Sequence, residues 1–555
     1  MIPFDDAHRA VHYPPDRRFR IWIRPSILAF LVAIMLIPLI LAWIQRAIFG
    51  LPPIPPPSEL EATAPGPSGF PAWVCWSHFF NTLFLFMLMR SGLSILMDHP
   101  RLYLNDHCTP GTEWLRLTPR KVTPDNVWSA KEDARYITPI IATPGYRHTV
   151  GLARAWHFLT VYGFVLTGVF FVCACLTSGR WHRLVPTSGT AFPDGWKVFV
   201  YYATLHLPPE PNGFYVYNPL QQLAYGATVF VLSPLSILTG LAMSPAIHNR
   251  WPMYAKLFGG RQCARSIHFL ILVAFAVFVV VHVSLVALTG LKRNMNHIVL
   301  GSDDVHWPGL ALGIFGLTIV IATWIAAHYI SWYSGRRVQH TYRAISRPML
   351  AATLDRLTPR KRNYSAREIS PRMWPNGKLP ERDDWKQMAT NGFKDYRLKI
   401  GGLVENPLEL SLSNLRAMGM EHVVTMQHCI QGWSGIAEWR GVLVRELIEH
   451  AKPKPYATVV AFFSFGAALY SPVYYETAHI VDLVRHNAIL ALDMNGAPLT
   501  DVYGAPLRLR IDNQLGFKMV KWIERIEFVE SIESLGDGEG GSGEDDDMYD
   551  LLPNI

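Results

Sequence analysis

The sequence lacks the motifs by which most redox proteins hold a soluble cofactor. It contains no glycine-rich nicotinamide fingerprint, no phosphate-binding loop and no iron–sulfur spacing. Its six cysteines form no Cys-x-x-Cys pair, so covalently attached c-type haem is not expected, and no base-reading motif points to nucleic acid. Because these motifs are absent, the expected redox partner is either a carrier dissolved in the membrane or a soluble donor that docks on the protein.

Charged residues are also scarce. They make up 17% of the 555 residues, whereas 50% are hydrophobic, which is too apolar for a wholly soluble protein. Before residue 335, six apolar runs are long enough to cross a bilayer core of about 30 Å. We therefore predict an all-α transmembrane bundle of about six spans, the first of which is an anchor. The runs are 27–49, 73–97, 152–176, 220–243, 267–291 and 308–333.

Lysine and arginine flank these runs unevenly. One set of flanks is rich in both, at 9–24, 101–147 and 250–265. Because cationic loops stay in the cytoplasm, both termini are expected there, in a multi-pass protein of the inner (cell) membrane. The net charge of +8 then reflects topology and suits anionic membrane lipid. The longest inner loop, 98–147, has the length to cradle a further domain. The opposite flanks are poorer, with Arg180, Arg183, Lys197, Lys292 and Arg293.

Two histidines, His268 and His282, lie in the fifth run. A helix places them about 21 Å apart in depth and within about 40° of one face. Imidazole at membrane depth is costly unless it binds something, and His157 and His78 in other runs match the two depths. We predict two bis-imidazole b-type haems, an inner one on His157 and His268 and an outer one on His78 and His282. Hydrogen-bonded core histidines are the alternative, and His328 is the leading substitute ligand.

The composition changes abruptly after residue 335. Residues 336–353 form a basic, polar linker, and residues 354–534 alternate strand-like runs with Gly, Pro and Asn turns. We predict a separate cytoplasmic domain of mixed α/β (α+β) class there, after a cytoplasmic segment at 1–26 and a membrane domain at 27–335. Residues 535–555 are acidic and rich in glycine, so we expect a solvated, disordered tail rather than one bound to the basic inner face.

One cysteine of this second domain, Cys429, has a telling context. The segment TMQHCIQGWSGIAEWRGV places it at a strand end before a glycine turn, where a thiolate can be presented to a metal. Spacing alone does not separate it from an inert lone cysteine. The context therefore makes Cys429 a candidate metal ligand.

The membrane half resembles the b-type cytochrome subunits of formate dehydrogenases and nickel–iron hydrogenases. The resemblance covers residues 70–335 and rests on NPLQQLAYGATVFVLSPLSILTGLAMSP, on GGRQCARSIHFL and on the paired histidines of the fifth run. That family has fewer spans than the six predicted here, so the pairing of the ligands stays open. The resemblance implies four haem ligands, which are His78, His157, His268 and His282.

The second half resembles the molybdenum-cofactor domain of the sulfite oxidase family, on the branch of bacterial methionine-sulfoxide reductase catalytic subunits. The resemblance implies a molybdopterin cofactor that supplies oxygen-atom transfer. After the cysteine, Ile-Gln-Gly-Trp-Ser replaces the Gly-Asn-Arg of sulfite oxidases proper, which argues against simple sulfite oxidation. The matching motifs lie within 370–530 and are SPRMWPNGKLP, YRLKIGGLVENPLELSLSNL, HCIQGWSGIAEWRGV and LALDMNGAPLTDVYGAPLRLRIDNQLGFKMVKWIERIEF.

The same resemblance implies the residues of the cofactor site. Cys429 is the implied molybdenum ligand and catalytic residue. Ser464 and Arg508 are implied cofactor contacts, and a guanidinium or ammonium group suits a phosphate. This chain departs from its relatives at Tyr503, where they often have Asn or His, and at Ser464, where they have Thr. Three further implied contacts are Met519, Val520 and Lys521. Apart from the resemblance, five aromatic residues are candidates to line a substrate pocket, although such a cluster more often belongs to a core: Trp374, Trp433, Tyr470, Tyr474 and Tyr475.

The two halves together predict a membrane-bound molybdenum oxidoreductase that exchanges electrons between the quinone pool and a small substrate through two b haems. The preferred direction is quinol-driven reduction of an S-oxide or a similar oxo substrate. Two alternatives stay open: a sulfite-oxidase-like enzyme that delivers electrons to quinone, and a transmembrane electron conduit whose second domain is not catalytic. The motifs predict neither the substrate nor the oligomeric state.

Overall fold

The computed structural model describes residues 18–62, 67–122, 130–135, 149–357, 364–468, 470–512, 514–551 and 555. The first 17 residues of the predicted N-terminal segment and much of the loop 98–147 lie outside that set. The described residues form a helical bundle followed by a domain built on two β-sheets. This arrangement confirms the predicted fold class.

Six helices among the described residues are long and apolar enough to cross a membrane, as predicted. The six helices are α1 (Pro25–Phe49), α2 (Ala72–Asp98), α3 (Val150–Thr177), α4 (Pro219–Met243), α5 (Arg261–Leu288) and α6 (Trp307–Ala352). Contacts join α2 to α3, α4 to α5 and α6 to α3. A π-helical turn at Thr228–Leu232 interrupts α4. Shorter helices between them are Pro57–Ala62, Ala191–Ala203, Pro245–Arg250, Pro252–Lys256 and Leu291–Met295.

The last membrane helix, α6, continues far beyond the apolar run. It bends at Ser334, where the backbone leaves helical geometry (φ −143°, ψ 34°), and then runs on to Ala352. The basic stretch 336–353, predicted as a linker, is therefore almost wholly helix. Its arginines lie outside the apolar segment, where they are free to bind acidic partners.

The described part of the inner loop is folded between the two domains. Three short strands, β1 (Trp22–Ile23), β2 (Arg101–Leu102) and β3 (Leu115–Arg116), form a sheet in the order β1-β3-β2. The fully buried guanidinium of Arg101 donates to Asp133 (2.6 Å) and Glu113 (2.5 Å). The loop therefore packs as an ordered platform beneath the bundle.

The second domain consists of two five-stranded sheets. The first has the order β11-β10-β7-β6, with β12 also paired to β10, and the second has the order β5-β4-β13-β8-β9, in which β13 and β4 are parallel. The core of the domain buries Trp433, Trp439, Phe462 and Phe528 almost completely. The strands are β4 (Arg397–Gly402), β5 (Leu408–Ser411), β6 (Glu421–His428), β7 (Ser434–Leu443), β8 (Val459–Ser464), β9 (Tyr475–His479), β10 (Ile489–Met494), β11 (Ala497–Pro498), β12 (Arg508–Arg510) and β13 (Ile523–Val529). The longer helices are α7 (Asp383–Thr390), α8 (Leu412–Ala417), α9 (Val444–Ala451) and α10 (Ile480–Arg485).

The acidic tail packs against the protein, which differs from the solvated tail expected from its composition. Asp547 lies 2.6 Å from Arg336, and Asp550 lies 2.5 Å from Arg343, both on the extension of α6. Net acidity therefore does not keep the tail in solvent, because the helix offers matching cations. Three apolar side chains of the tail are buried in the main core: Tyr549, Leu551 and Ile555. Residues 552–554 lie outside the described set.

Candidate functional site

Cys429 lies in the turn between β6 and β7, where the sequence predicts it. The turn is closed by a hydrogen bond from Cys429 N–H to Trp433 O (3.0 Å), and Gly432 adopts the left-handed φ of +104° that favours glycine. The cysteine is 3% exposed. Its Sγ lies 3.6 Å from Asn376 Nδ2 and 3.9 Å from Gln431 Oε1. The turn thus presents one enclosed sulfur between two amide side chains.

Two buried arginines of β12 lie against one indole ring. The guanidinium carbons of Arg508 and Arg510 are 4.7 and 4.9 Å from the ring centroid of Trp439. Arg508 donates to Gln427 Oε1 (2.8 Å) and Tyr503 O (3.1 Å), but its enclosed Nε has no partner among the described residues. Burial and the neighbouring arginine lower the pKa of Arg508 to about 9. A buried cation in this condition suits an anion that the chain does not supply.

Lys521 adds a second buried cation near Arg508. Its Nζ donates to Val502 O (2.8 Å) and to Asn376 O, so it is held by carbonyls. Burial and the charge of Arg508 hold the pKa of Lys521 well below its ordinary value. An anionic group bound near both cations relieves their repulsion. The predicted phosphate contacts therefore meet in one electropositive region.

The other implied contacts act through the main chain. The Oγ of Ser464 donates to Lys521 O (2.7 Å) and accepts from Gly466 N–H (2.9 Å). Its hydroxyl therefore fixes the segment before β13 that carries the lysine. Met519 is 3% and Val520 is 1% exposed, so their side chains belong to the core.

A third cation of the same segment, Lys518, is already neutralised. Its Nζ lies 2.6 Å from Glu544 of the tail and 2.8 Å from Glu476 of β9. Burial opposes the charge, but the two carboxylates raise the pKa of Lys518 above its ordinary value. Lys518 therefore stabilises the tail and leaves the anion region to Arg508 and Lys521.

The five aromatic residues predicted to line one pocket are divided in the structure. Trp433 is buried at the β6–β7 turn, and its Nε1 donates to Gln431 Oε1 (3.4 Å). Trp374 is buried where the inner loop meets the second domain. Tyr470 is half-buried in the loop after β8. The hydroxyl of Tyr474 donates to a carboxylate of β9 at 2.7 Å. The hydroxyl of Tyr475 donates to a carboxylate of the tail at 2.5 Å.

The β6–β7 turn is hydrogen-bonded directly to the inner ends of the membrane helices. Arg154, at the start of α3, donates to Ile430 O (2.7 Å), and Gln262, at the start of α5, donates to Gly432 O (2.9 Å). The side chain of Gln431 donates to the last carbonyl of α2 at 3.0 Å. Three spans therefore hold the residues that follow Cys429.

The four predicted haem ligands form two pairs within the bundle. The ring centroids are 6.4 Å apart for His78 and His282, and 6.3 Å apart for His157 and His268. Two imidazoles bound to opposite sides of one metal through bonds of about 2 Å have centroids about 6–6.5 Å apart. The predicted partners therefore lie at the spacing of bis-imidazole ligation.

Hydroxyl groups orient the rings of the inner pair. Ser91 Oγ lies 3.0 Å from Nδ1 of His157, and Thr239 Oγ1 lies 3.0 Å from Nδ1 of His268. A partner on Nδ1 fixes the ring and leaves Nε2 for a metal. The outer pair faces a cavity of 2100 Å³, larger than ordinary ligand pockets of roughly 300–1,000 Å³. Both positions fit a haem.

The inner pair lies about one helical turn from two arginines whose side chains reach the β6–β7 turn. Arg154 precedes His157 by three residues on α3, and Arg265 precedes His268 by three residues on α5, a rise of about 4.5 Å in each case. A Cβ added at Gly432 would lie 3.5 Å from the guanidinium carbon of Arg265. The haem position and the Cys429 position are therefore neighbours.

His328, the predicted substitute ligand, pairs with no other histidine among the described residues. Its ring lies 5.1 Å from that of Tyr329 and 6.4 Å from that of Trp332, both on α6. The four paired histidines need no substitute. His328 is therefore available for another role.

Comparisons with known families assign both halves of the chain. Residues 69–299 match prokaryotic cytochrome b561, and residues 385–534 match the oxidoreductase molybdopterin binding domain. The chain therefore joins a membrane cytochrome b561 domain to a molybdopterin-binding oxidoreductase domain. Haem b and the molybdenum cofactor are confirmed as its cofactor classes, whereas the finer resemblance to formate dehydrogenase and hydrogenase subunits stays a prediction.

The second half is similar to protein-methionine-sulfoxide reductase catalytic subunits MsrP. The protein of Gluconobacter oxydans is 32% identical over 146 residues, 24% of this chain and 47% of that protein. The protein of Campylobacter jejuni is 31% identical over 147 residues, 24% and 50% of the two chains. The chain thus spans about half the length of these curated relatives. The sulfane dehydrogenase SoxCD of Paracoccus pantotrophus is 24% identical over 25% of this chain and 39% of that chain, with a TM-score of 0.23.

Sequence reasoning missed the residues that join the two halves. Gln262 and Arg265 stand inside GGRQCARSIHFL, a motif that we connected only with haem. Gln431 stands inside the Ile-Gln-Gly-Trp-Ser departure from sulfite oxidases, and it bonds to α2. That departure was the available signal, because a changed sequence beside a metal ligand indicates a changed neighbour.

Proposed function

We propose that this chain is a membrane-bound molybdenum oxidoreductase that takes electrons from quinol, passes them through two b haems and reduces an S-oxide or similar oxo substrate at Cys429. One observation carries the proposal. The turn that holds Cys429 accepts hydrogen bonds from Arg154 and Gln262, close to the inner histidine pair. This contact gives electrons a short path from the membrane to the second domain within one chain.

The residues present fit the molybdenum cofactor. Cys429 offers an enclosed soft sulfur to molybdenum, and Arg508 and Lys521 offer buried cations to its phosphate. The bound cofactor supplies oxygen-atom transfer. Ser464 positions the segment that carries Lys521, and the buried Trp433 keeps water from the sulfur side of the turn. Each of these roles follows from a side chain that the fold holds in place.

The overall reaction balances in electrons and protons. A quinol gives up two electrons and two protons and becomes a quinone. A sulfoxide takes up two of each and becomes a sulfide and water. The preference for an S-oxide comes from the similarity to methionine-sulfoxide reductase catalytic subunits. The cation-rich flanks on the side of the second domain support a cytoplasmic site in the inner membrane.

The proposal is tested by the metal content of the purified, detergent-solubilised chain. We expect one molybdenum and two b haems per chain. In Cys429→Ser, molybdenum and sulfoxide turnover should both be lost, because the hydroxyl is a poor substitute for a soft thiolate, while the haem spectrum stays unchanged. Molybdenum would be measured by elemental analysis and haem by the pyridine haemochrome.

A matched control is Cys108→Ser. Cys108 is a second fully buried cysteine, 3.9 Å from Ser434 at the same junction. Burial raises the pKa of its thiol to about 11, which disfavours a thiolate. This variant should keep its molybdenum. Sulfoxide turnover retained in Cys429→Ser would reject the assignment, and haem without molybdenum in the unmodified chain would favour an electron conduit.

A further inference from the structure

The extension of α6 presents three basic side chains on one face. Arg336, His340 and Arg343 follow the bend at Ser334 at intervals of four and three residues, and residues at this spacing are neighbours on a helix surface. The acidic tail packs along this face and pairs with both arginines. His340 lies between them and belongs neither to the histidine pairs of the bundle nor to the Cys429 site.

His340 forms a cluster with two carboxylates of the tail. Its ring nitrogen and one oxygen each from Glu539 and Asp550 all lie within 4.8 Å of one another. Nε2 of His340 is 2.8 Å from Oδ2 of Asp550 and 3.7 Å from Oε2 of Glu539. A tetrahedral Zn²⁺ with bonds of about 2.0–2.2 Å has ligand atoms roughly 3.3–3.6 Å apart. One ion can therefore bind all three atoms after small movements of the side chains.

The most deeply buried oxygen of the cluster has no hydrogen bond. The side chain of Asp550 is 3% exposed, and its Oδ2 accepts no hydrogen bond from the described residues. The contact of 2.8 Å with His340 therefore lacks the alignment of a hydrogen bond. Arg343 binds the other oxygen, Oδ1, at 2.5 Å. A buried carboxylate oxygen without a partner is costly, so Oδ2 is available to a ligand that the chain does not supply.

Negative charge at the cluster exceeds the positive charge that faces it. Glu539 and Asp550 share one arginine, Arg343, and its Nη2 is 3.9 Å from Glu539. Burial raises the pKa of Asp550 above its ordinary value in spite of Arg343 and His340, and the charge of Glu539 adds to the rise. The two carboxylates therefore need a further cation.

The backbone holds both carboxylates in place. The N–H of Asp550 donates to Gln339 Oε1 (2.9 Å), a side chain of α6 that is fully buried. The N–H of Glu539 donates to Asp545 Oδ1 (3.1 Å). Ligands that are fixed before binding lose little freedom when an ion arrives, and Arg343 orients the carboxylate of Asp550 as an outer partner of a metal ligand does.

We propose that His340, Glu539 and Asp550 bind a divalent cation, Zn²⁺, which fastens the acidic tail to the extension of α6. The side chains of His340 and Glu539 are 37% and 24% exposed, so the ion can enter from solvent and a water can complete its coordination. The ion stabilises the packed tail, because only the folded chain brings the three ligands together. The site is separate from molybdenum and haem, so this inference does not depend on the function proposed above.

The test measures the binding of Zn²⁺ alone to the full, detergent-solubilised chain after treatment with EDTA. By equilibrium dialysis we expect one Zn²⁺ per chain, and we expect Zn²⁺ to raise the thermal unfolding temperature. His340→Gln and Glu539→Gln should each weaken binding at least about tenfold, since a lost ligand costs no less than a lost outer partner. The matched control is His422→Gln, because His422 is 57% exposed and lies 3.1 Å from a single carboxylate, that of Glu438.

The outcomes decide the site without reference to turnover. His422→Gln should bind Zn²⁺ like the unmodified chain, and the haem spectrum of every variant should stay unchanged. If His340→Gln does not fold, Glu539→Gln decides, because the side chain of Glu539 is partly exposed and lies 3.9 Å from its arginine. Absence of saturable binding to the unmodified chain overturns the site. Binding that is equal in Glu539→Gln and the unmodified chain, or as weak in His422→Gln as in His340→Gln, also overturns it.

Discussion

At the scale of the residue, partners within the chain distinguish structural cations from functional ones. Arg101 and Arg508 are both buried, but Arg101 is enclosed by two carboxylates, whereas Nε of Arg508 has no partner among the residues that the structure describes. Lys518 and Lys521 differ in the same way, since only Lys518 has carboxylate partners. A buried cation is costly without a counter-charge. We therefore expect a ligand to supply the counter-charge at Arg508 and Lys521.

The histidine pairs give a prediction at this scale. His282→Ala should remove the outer haem and His268→Ala the inner one, because each substitution leaves a single imidazole on the iron. The pyridine haemochrome of each purified variant should fall to about half, and the double variant should have none. His206→Ala, in the outer loop, should keep both haems. An unchanged haem content in either single variant would reject the pairing.

The sequence predicted which histidines lie close together better than it predicted their surroundings. His268 and His282 were accessible because helical periodicity alone fixes their common face and their depth. Cys429 and Lys521 needed a resemblance to a known family. The unpartnered state of Arg508 was not accessible, because it depends on Gln427 and Tyr503, which long-range packing brings to it.

At the scale of the element, the extension of α6 and the acidic tail form one unit. Arg336 and Arg343 on the helix meet Asp547 and Asp550 on the tail. Gly541 allows the close approach, since a Cβ there would lie 2.2 Å from Glu476 Oε2. The sequence predicts a solvated tail because that prediction uses only the average composition of the segment, which is acidic and rich in glycine. Its stability comes from a few buried apolar and paired charged side chains that an average conceals.

Lys518→Met tests whether this unit stabilises the second domain. The substitution keeps the volume but leaves Glu476 and Glu544 buried without their cation, and loss of one partner of a buried pair costs about 3–5 kcal/mol. The thermal unfolding temperature of the purified chain should fall by several degrees. Lys386→Met is the matched control, because the side chain of Lys386 is 55% exposed and its ammonium lies 3.6 Å from Asp383. Equal unfolding temperatures for the two variants would show that the tail is not stabilising.

At the scale of the whole molecule, the two domains share one junction. The inner loop, predicted to cradle the second domain, forms its platform, and α2, α3 and α5 bind the β6–β7 turn. Hydropathy predicted the spans, and sequence motifs predicted the second domain. Neither hydropathy nor sequence motifs predicted the hydrogen bond from Gln431 to α2, because a contact between distant segments is set only by the assembled fold. Under the proposed function, this junction is where electrons cross from the membrane domain to the second domain.

The most direct test of this account is the response of reduced haem to a sulfoxide. The purified chain would be reduced anaerobically with one equivalent of menadiol and mixed with methionine sulfoxide, while the haem absorbance is recorded. We expect the haems to be reoxidised in the unmodified chain and to stay reduced in Cys429→Ser. Two results together would contradict the account: reduced haems stay reduced after the sulfoxide is added, and oxidised haems become reduced when sulfite is added. Electrons would then flow in the opposite direction, from the substrate to the haems.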